Sequence, residues 1–193
     1  MLPCGAATLR RPKPPSGIAF YAESGPAFGR ESIREPLMPA VKPVPEGYPS
    51  LTPYLIVSDG ASSLEFYQKA FGARLRLKLD APGGRIGHAE LEIGDSVIML
   101  ADEHPEIGAR GPRAFGGSPV GLHLYVEEVD AVVARAAAAG ARLVHPVEDK
   151  FYGDRMGTIE DPFGHRWYVT THIEDVSPEE IGRRAAALHG QAP

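Results

Sequence analysis

Apolar positions recur at helical spacing twice along the chain, each time between runs that alternate like strands. In residues 54–75, YLIVSDGASSLEFYQKAFGARL, a short apolar start gives way to Leu64, Tyr67, Ala70 and Phe71, which share one face of a helix. Residues 123–143, HLYVEEVDAVVARAAAAGARL, repeat the order with Val132, Val133 and Ala136, align with one gap, and end alike in Gly-Ala-Arg-Leu. The pairs Ser58-Asp59 and Glu127-Glu128 separate strand from helix, and Gly72 and Gly140 stand where a left-handed residue stops one. After the first helix come RLRLKLD, HAELEI and, past a Gly-Asp turn, SVIMLAD; after the second come RLVHPVEDK, DRMGTIE and, past Asp-Pro-Phe-Gly, HRWYVTTH. Each half predicts β-α-β-β-β. The fold is therefore α+β, two tandem modules in which one helix covers one face of a small sheet and the other face stays open.

Outside these modules the pattern fades. Residues 1–47 are rich in Pro, Gly, Ser and Arg without a sustained period, and are expected to be a disordered extension with translation starting at Met38. The first module spans 48–104 and the second 120–175. Between them lies a linker loop, 105–119, within the Gly- and Pro-rich stretch DEHPEIGARGPRAFGGSP (102–119), long enough to act as a lid or to be disordered. Arg110 and Arg113 would then bring positive charge to the mouth of the open face, although simple spacing of the modules explains the loop equally well. Residues 176–193 are a helix and tail, the helix opened by Ser177-Pro178-Glu179-Glu180, which combines a capping box with proline at the first helical position.

Composition narrows the function. A net charge of −5, with 20 basic against 25 acidic residues, argues against nucleic acid, since neutralising phosphates needs a basic face. No apolar run is long enough to span a membrane. A single cysteine, Cys4, forms no internal disulfide and fits a reducing cytoplasm.

The duplicated modules, the helices ending in Ala-Gly-Ala or its near equivalent, and FYGDRMGTIEDPFGHRWYVTTHIEDVSPEE resemble the vicinal oxygen chelate superfamily of glyoxalases, extradiol dioxygenases and bleomycin-binding proteins. The resemblance covers about residues 48–175 and is nearest to the PhnB-like branch. It implies curved sheets that form a cup around a small molecule, commonly in a homodimer. It also implies a divalent metal (Zn, Ni, Mn or Fe) held by His, Gln or Glu at positions that fall here on Thr52, about Ile98, Gly121 and Tyr168. None of these four suits such an ion. The usual metal-ligand positions are thus not kept, and a cofactor is not expected from them.

Strand parity supplies a displaced alternative. If Ala89, Leu91 and Ile93 lie under the helix, His88, Glu90 and Glu92 face the cup, and His88, Glu90 and His123 make a two-His-one-carboxylate set. Against it, each of these histidines is explained as a half-buried strand residue with one satisfied hydrogen bond. Tyr54, Tyr125 and Tyr168 are candidates to hold a flat ligand, with His123 and Thr170 beside them; Trp167 and Val169 should face the core, and Thr170 and His172 the cup with Tyr168. Tyr152, Asp154 and Arg155 offer a hydroxyl, a carboxylate and a guanidinium, although Asp154 and Arg155 also suit a structural pair. Asp102 and Tyr168 are the catalytic candidates, Asp102 as a base at the rim or simply as the start of a loop. Two classes follow: a binding protein or atypical lyase or isomerase without the usual metal site, or a metal-dependent lyase or dioxygenase at the displaced one.

Overall fold

Two copies of one supersecondary unit build the chain. The computed structural model describes residues 41–189; the expectations for residues up to 40, the start at Met38 among them, lie outside the described residues. The first module runs β1 (Tyr54–Val57), α1 (Gly60–Phe71), β2 (Arg74–Ala81), β3 (Arg85–Ile93) and β4 (Ser96–Asp102), and the second β5 (Gly121–Tyr125), α2 (Val129–Ala138), β6 (Arg142–Asp149), β7 (Asp154–Glu160) and β8 (Arg166–His172). A last helix, α3, spans Pro178–His189. Each sheet has four strands, ordered β1-β4-β3-β2 and β5-β8-β7-β6, with the first and last strand of each module parallel and the other neighbours antiparallel.

Local chemistry sets the helix ends. Asp59 caps α1 by accepting from the Ser62 N–H, which holds its carboxyl below the usual range. Gly72, at φ 69°, closes the helix with its N–H on the Gln68 and Tyr67 carbonyls. Helix α2 has no such side-chain cap of its own. Its first N–H, from Val129, reaches Thr171 Oγ1 at the end of β8. The first module repeats the device, because the Gly60 N–H reaches Asp102 Oδ1 at the end of β4. Gly60 has no room for a side chain there, since a Cβ would lie 2.8 Å from Asp102 Oδ2 and 2.9 Å from Ile86 Cβ.

One core joins the modules. Leu55, Val57, Leu91 and Leu100 under α1 are continuous with Val132, Val133, Ile159 and Val169 under α2. At the junction Phe71 packs on Trp167 at 4.7 Å between ring centroids, with Tyr67, Phe66 and Phe163 around them. The Asp-Pro-Phe-Gly turn lies here. Asp161, 2% exposed, accepts from the Phe163 and His165 N–H groups, from the Trp167 indole and from the Tyr67 hydroxyl of the other module. Four donors offset the desolvation of that carboxylate, and burial beside it drives the Tyr67 phenol well up.

The helix-covered faces of the two sheets therefore meet, and their other faces turn away from the shared core. The linker is built rather than loose: it holds short 3₁₀ turns at Pro105–Ile107 and Pro112–Phe115, and a His104–Ala109 bridge. Arg113 bonds the Pro162 carbonyl and so serves the Asp161 turn instead of the cup mouth. Among the described residues no helix is long and apolar enough to cross a membrane.

Candidate functional site

The open face of each sheet gathers polar and aromatic side chains into rows across neighbouring strands. On the first sheet the register places Tyr54, Met99, Glu90 and Leu77 side by side. A bulge between Leu75 and Leu77 shifts β2, so that Leu77 and Leu79 share the faces of Glu90 and His88. Ala89, Leu91 and Ile93 lie in the core, as parity predicts, leaving His88 and Glu90 opposite. There they form a continuous chain: Tyr54 OH is 3.0 Å from His88 Nδ1, His88 Nε2 is 3.3 Å from Glu90 Oε1, and Tyr48 OH donates to Glu90 Oε2. The Arg76 guanidinium stacks over the Tyr48 ring at 4.6 Å. The hydrogen bond from Tyr48, aided by His88, holds the Glu90 carboxyl low against the opposing effect of burial. Tyr48 had no signal in the sequence, since it sits in a proline-rich lead without periodicity.

On the second sheet the corresponding row is His123, Tyr168, Thr158 and His145, with Tyr125, Thr170 and Met156 in the next. The His123 ring lies 4.8 Å from Tyr125 and 6.2 Å from Tyr168. Trp167 and Val169 are in the core, on the face away from Tyr168. Thr170 has the expected parity but is fully buried, and its hydroxyl has no hydrogen-bond partner among the described residues.

Further along this face, Asp154 Oδ1 is 2.7 Å from His172 Nδ1 and its Oδ2 accepts from Tyr125 OH, while His172 Nε2 is 3.0 Å from Asp175. The two carboxylates raise the His172 pKa, Asp154 more than Asp175. Tyr152 and Ile181 of α3 help to enclose a cleft of about 510 Å³ over this group.

Several candidates land elsewhere. Arg155 is not free to hold a ligand: its guanidinium makes two bonds to Asp130 of α2, at 2.7 and 2.8 Å, and one to Asp149 at 2.7 Å, which raise its pKa. The structural pairing expected of Asp154 with Arg155 is replaced by these two separate ones, because successive strand residues point to opposite faces. Asp102 is the helix tie described above, with Oδ1 on the Gly60 N–H and Oδ2 on the Ile86 N–H, so both oxygens of the candidate base are engaged by backbone.

The four positions at which the resemblance implies metal ligands do not suit a metal in the structure either. Ile98 belongs to the core. The residue opposite Tyr54, as Tyr168 is opposite His123, is Met99, so the expectation at about Ile98 falls one residue short of the open face. Thr52 bonds the Pro49 carbonyl of its own lead. At Gly121 an added Cβ would stand 2.2 Å from Tyr168 Cε2: the tyrosine ring fills the space a ligating side chain would need. The displaced set is half assembled, since His88 meets Glu90 while His123 lies on the other sheet. Among the described residues no three His, Cys, Asp or Glu side chains are grouped to hold a metal.

Residues 49–169 match the family described as the Glyoxalase/Bleomycin resistance protein/Dioxygenase superfamily. The uncharacterized protein Rv0887c of Mycobacterium tuberculosis is 39% identical over 161 residues, covering 82% of this chain and 92% of the relative. The uncharacterized protein Mb0911c of Mycobacterium bovis is 42% identical over 136 residues, 69% of this chain and 90% of that one. Among solved structures, TioX from Micromonospora sp. ML1 superposes with a TM-score of 0.52 at 30% identity, covering 64% of this chain and 98% of its own. Protein PA1353 from Pseudomonas aeruginosa does so with a TM-score of 0.52 at 25% identity and the same coverage.

Proposed function

Because the chain belongs to the Glyoxalase/Bleomycin resistance protein/Dioxygenase superfamily, we propose that it is a small-molecule binding protein of that superfamily, in its PhnB-like branch, whose cup works without the usual metal. The observation that carries this reading is the Tyr168 ring lying over Gly121, in the space a ligating side chain at 121 would need. An aromatic wall there, with His123 and Tyr125 beside it, favours a flat apolar ligand with few polar atoms. The same residues leave room for an atypical lyase or isomerase working by acid and base alone.

The open faces of one chain lie outside its shared core, and we propose that a second copy closes the cup, the first sheet of one protomer against the second sheet of its partner. Exposed Tyr54, Leu77, Leu79 and Tyr125 are the surface such a homodimer covers. Its setting is proposed to be the cytoplasm, from the single cysteine. A second reading, a metal-dependent lyase or dioxygenase, rests on the His88–Glu90 contact and requires His123 from the partner.

A panel of planar aromatic compounds, scored by thermal shift and native mass spectrometry, tests the first reading. Binding by the wild-type protein that Tyr168→Ala weakens at least about tenfold, with an unchanged circular dichroism spectrum, is the expected result. Affinity that survives Tyr168→Ala contradicts it.

A further inference from the structure

We infer that the first sheet carries its own ligand subsite, at which Tyr54 accepts a hydrogen bond, so that it takes a compact apolar molecule bearing an O–H or N–H donor in preference to a bare ether or carbonyl. The inference rests on the small-molecule reading above and adds the polarity of the ligand.

The proton inventory of the side-chain chain on this face leads there. Glu90 is 6% exposed and, as an ionised carboxylate, accepts only; one oxygen takes the Tyr48 hydroxyl and the other faces His88 Nε2. The hydrogen atom between Glu90 and His88 must then sit on Nε2. A neutral imidazole with its proton at Nε2 has a lone pair at Nδ1, and the group 3.0 Å from Nδ1 is the Tyr54 hydroxyl. Partial burial raises the Tyr54 phenol, which therefore keeps its hydrogen and directs it at His88. A phenol has one hydrogen. What Tyr54 still offers to a molecule on the open face is its oxygen lone pairs.

A cavity adjoins it. About 280 Å³ is enclosed beside Tyr54 by Ile56, Ala81, Ala101, Ile107 and Ala109, the last two from the linker. Most of the other polar groups of its wall already have partners. Asp102 holds two backbone N–H groups, Glu103 accepts from the Gly111 N–H and His104 pairs with Glu106, while the exposed Arg85 guanidinium makes no hydrogen bond or ion pair among the described residues. Apart from Arg85 the rest of the wall is apolar, so the ligand is a small apolar body with its donor at Tyr54. Glu90 and Tyr48 are positioning residues that act through His88 by fixing which ring nitrogen carries the proton.

Phenol and anisole share a ring and differ in the donor, which makes them the probes. Their binding is followed by NMR at about pH 8, where a free imidazole is neutral, together with the ring nitrogen shifts of His88. The wild-type protein should show the Nε2–H tautomer and prefer phenol by about tenfold. Glu90→Gln keeps the Tyr48 bond through its amide oxygen and donates from its NH₂ to Nε2. The ring proton should move to Nδ1, the Tyr54 hydroxyl should turn outward, and the preference should shrink to about twofold or less. Tyr54→Phe should lose the preference and retain anisole binding. An Nδ1–H tautomer in the wild-type protein, or equal affinity for the two probes, overturns the inference. If neither probe binds while larger aromatic compounds bind through Tyr168, this subsite falls and the cup reading stands; if nothing in the panel binds, both fall.

Discussion

At the scale of single residues, Gly121 and Tyr168 are complementary: the glycine exists because the ring needs its space. Gly121→Ala should cost about 1–3 kcal/mol by overpacking, and the cost should largely vanish in the background of Tyr168→Ala, as a double-mutant cycle in denaturant would show. His172 gives a pH prediction. Its pKa is raised by Asp154 and Asp175, so its stabilising contribution is fully present below the unfolded-state value of 6.5 and lost as pH rises through the raised folded-state value. The stability difference between the wild-type protein and His172→Asn should therefore shrink across that interval; a difference that grows with pH would contradict the pairing. Part of this was legible beforehand. Parity placed His88, Glu90, Tyr168 and His172 on the open faces because a strand's period is fixed, whereas the partners of Arg155 and Asp154 depend on which strands adjoin, which no local period encodes.

The elements show where sequence reasoning held and where it stopped. Both βαβββ units were readable from the repeat, since helical spacing and the closing glycines are local signals. The role of Asp102 was not, because it depends on β4 lying beside β1 and so meeting the start of α1; Thr171 does the same for α2 from β8. Asp102→Ala should cost about 1–3 kcal/mol of stability through the two N–H groups left unpaired, and leave the affinity for larger aromatic compounds bound through Tyr168 unchanged within about twofold. A loss of affinity at full stability would restore it as a site residue. The Asp-Pro-Phe-Gly turn, legible as a turn, proves also to be the bolt between modules. Removing one of the four donors to Asp161 by Tyr67→Phe should cost about 1–3 kcal/mol, measurable as a lowered denaturation midpoint without a changed slope.

At the scale of the whole molecule, one shared core holds the helices inward and presents both open faces outward. A sedimentation experiment should find a dimer, and charge placed on the open face by Leu79→Glu should dissociate it; a wild-type monomer at micromolar concentration would require each face to act alone. The central claim is that the cup does its work with Tyr168 in place of a metal ligand. It is tested most directly by elemental analysis of protein purified without chelator, beside the His88→Ala, His123→Ala double variant. The account predicts well under one Zn, Ni, Mn or Fe per chain in both, and no thermal shift when these metals are added. Stoichiometric metal in the wild-type protein that disappears in the double variant would contradict it and establish the displaced site.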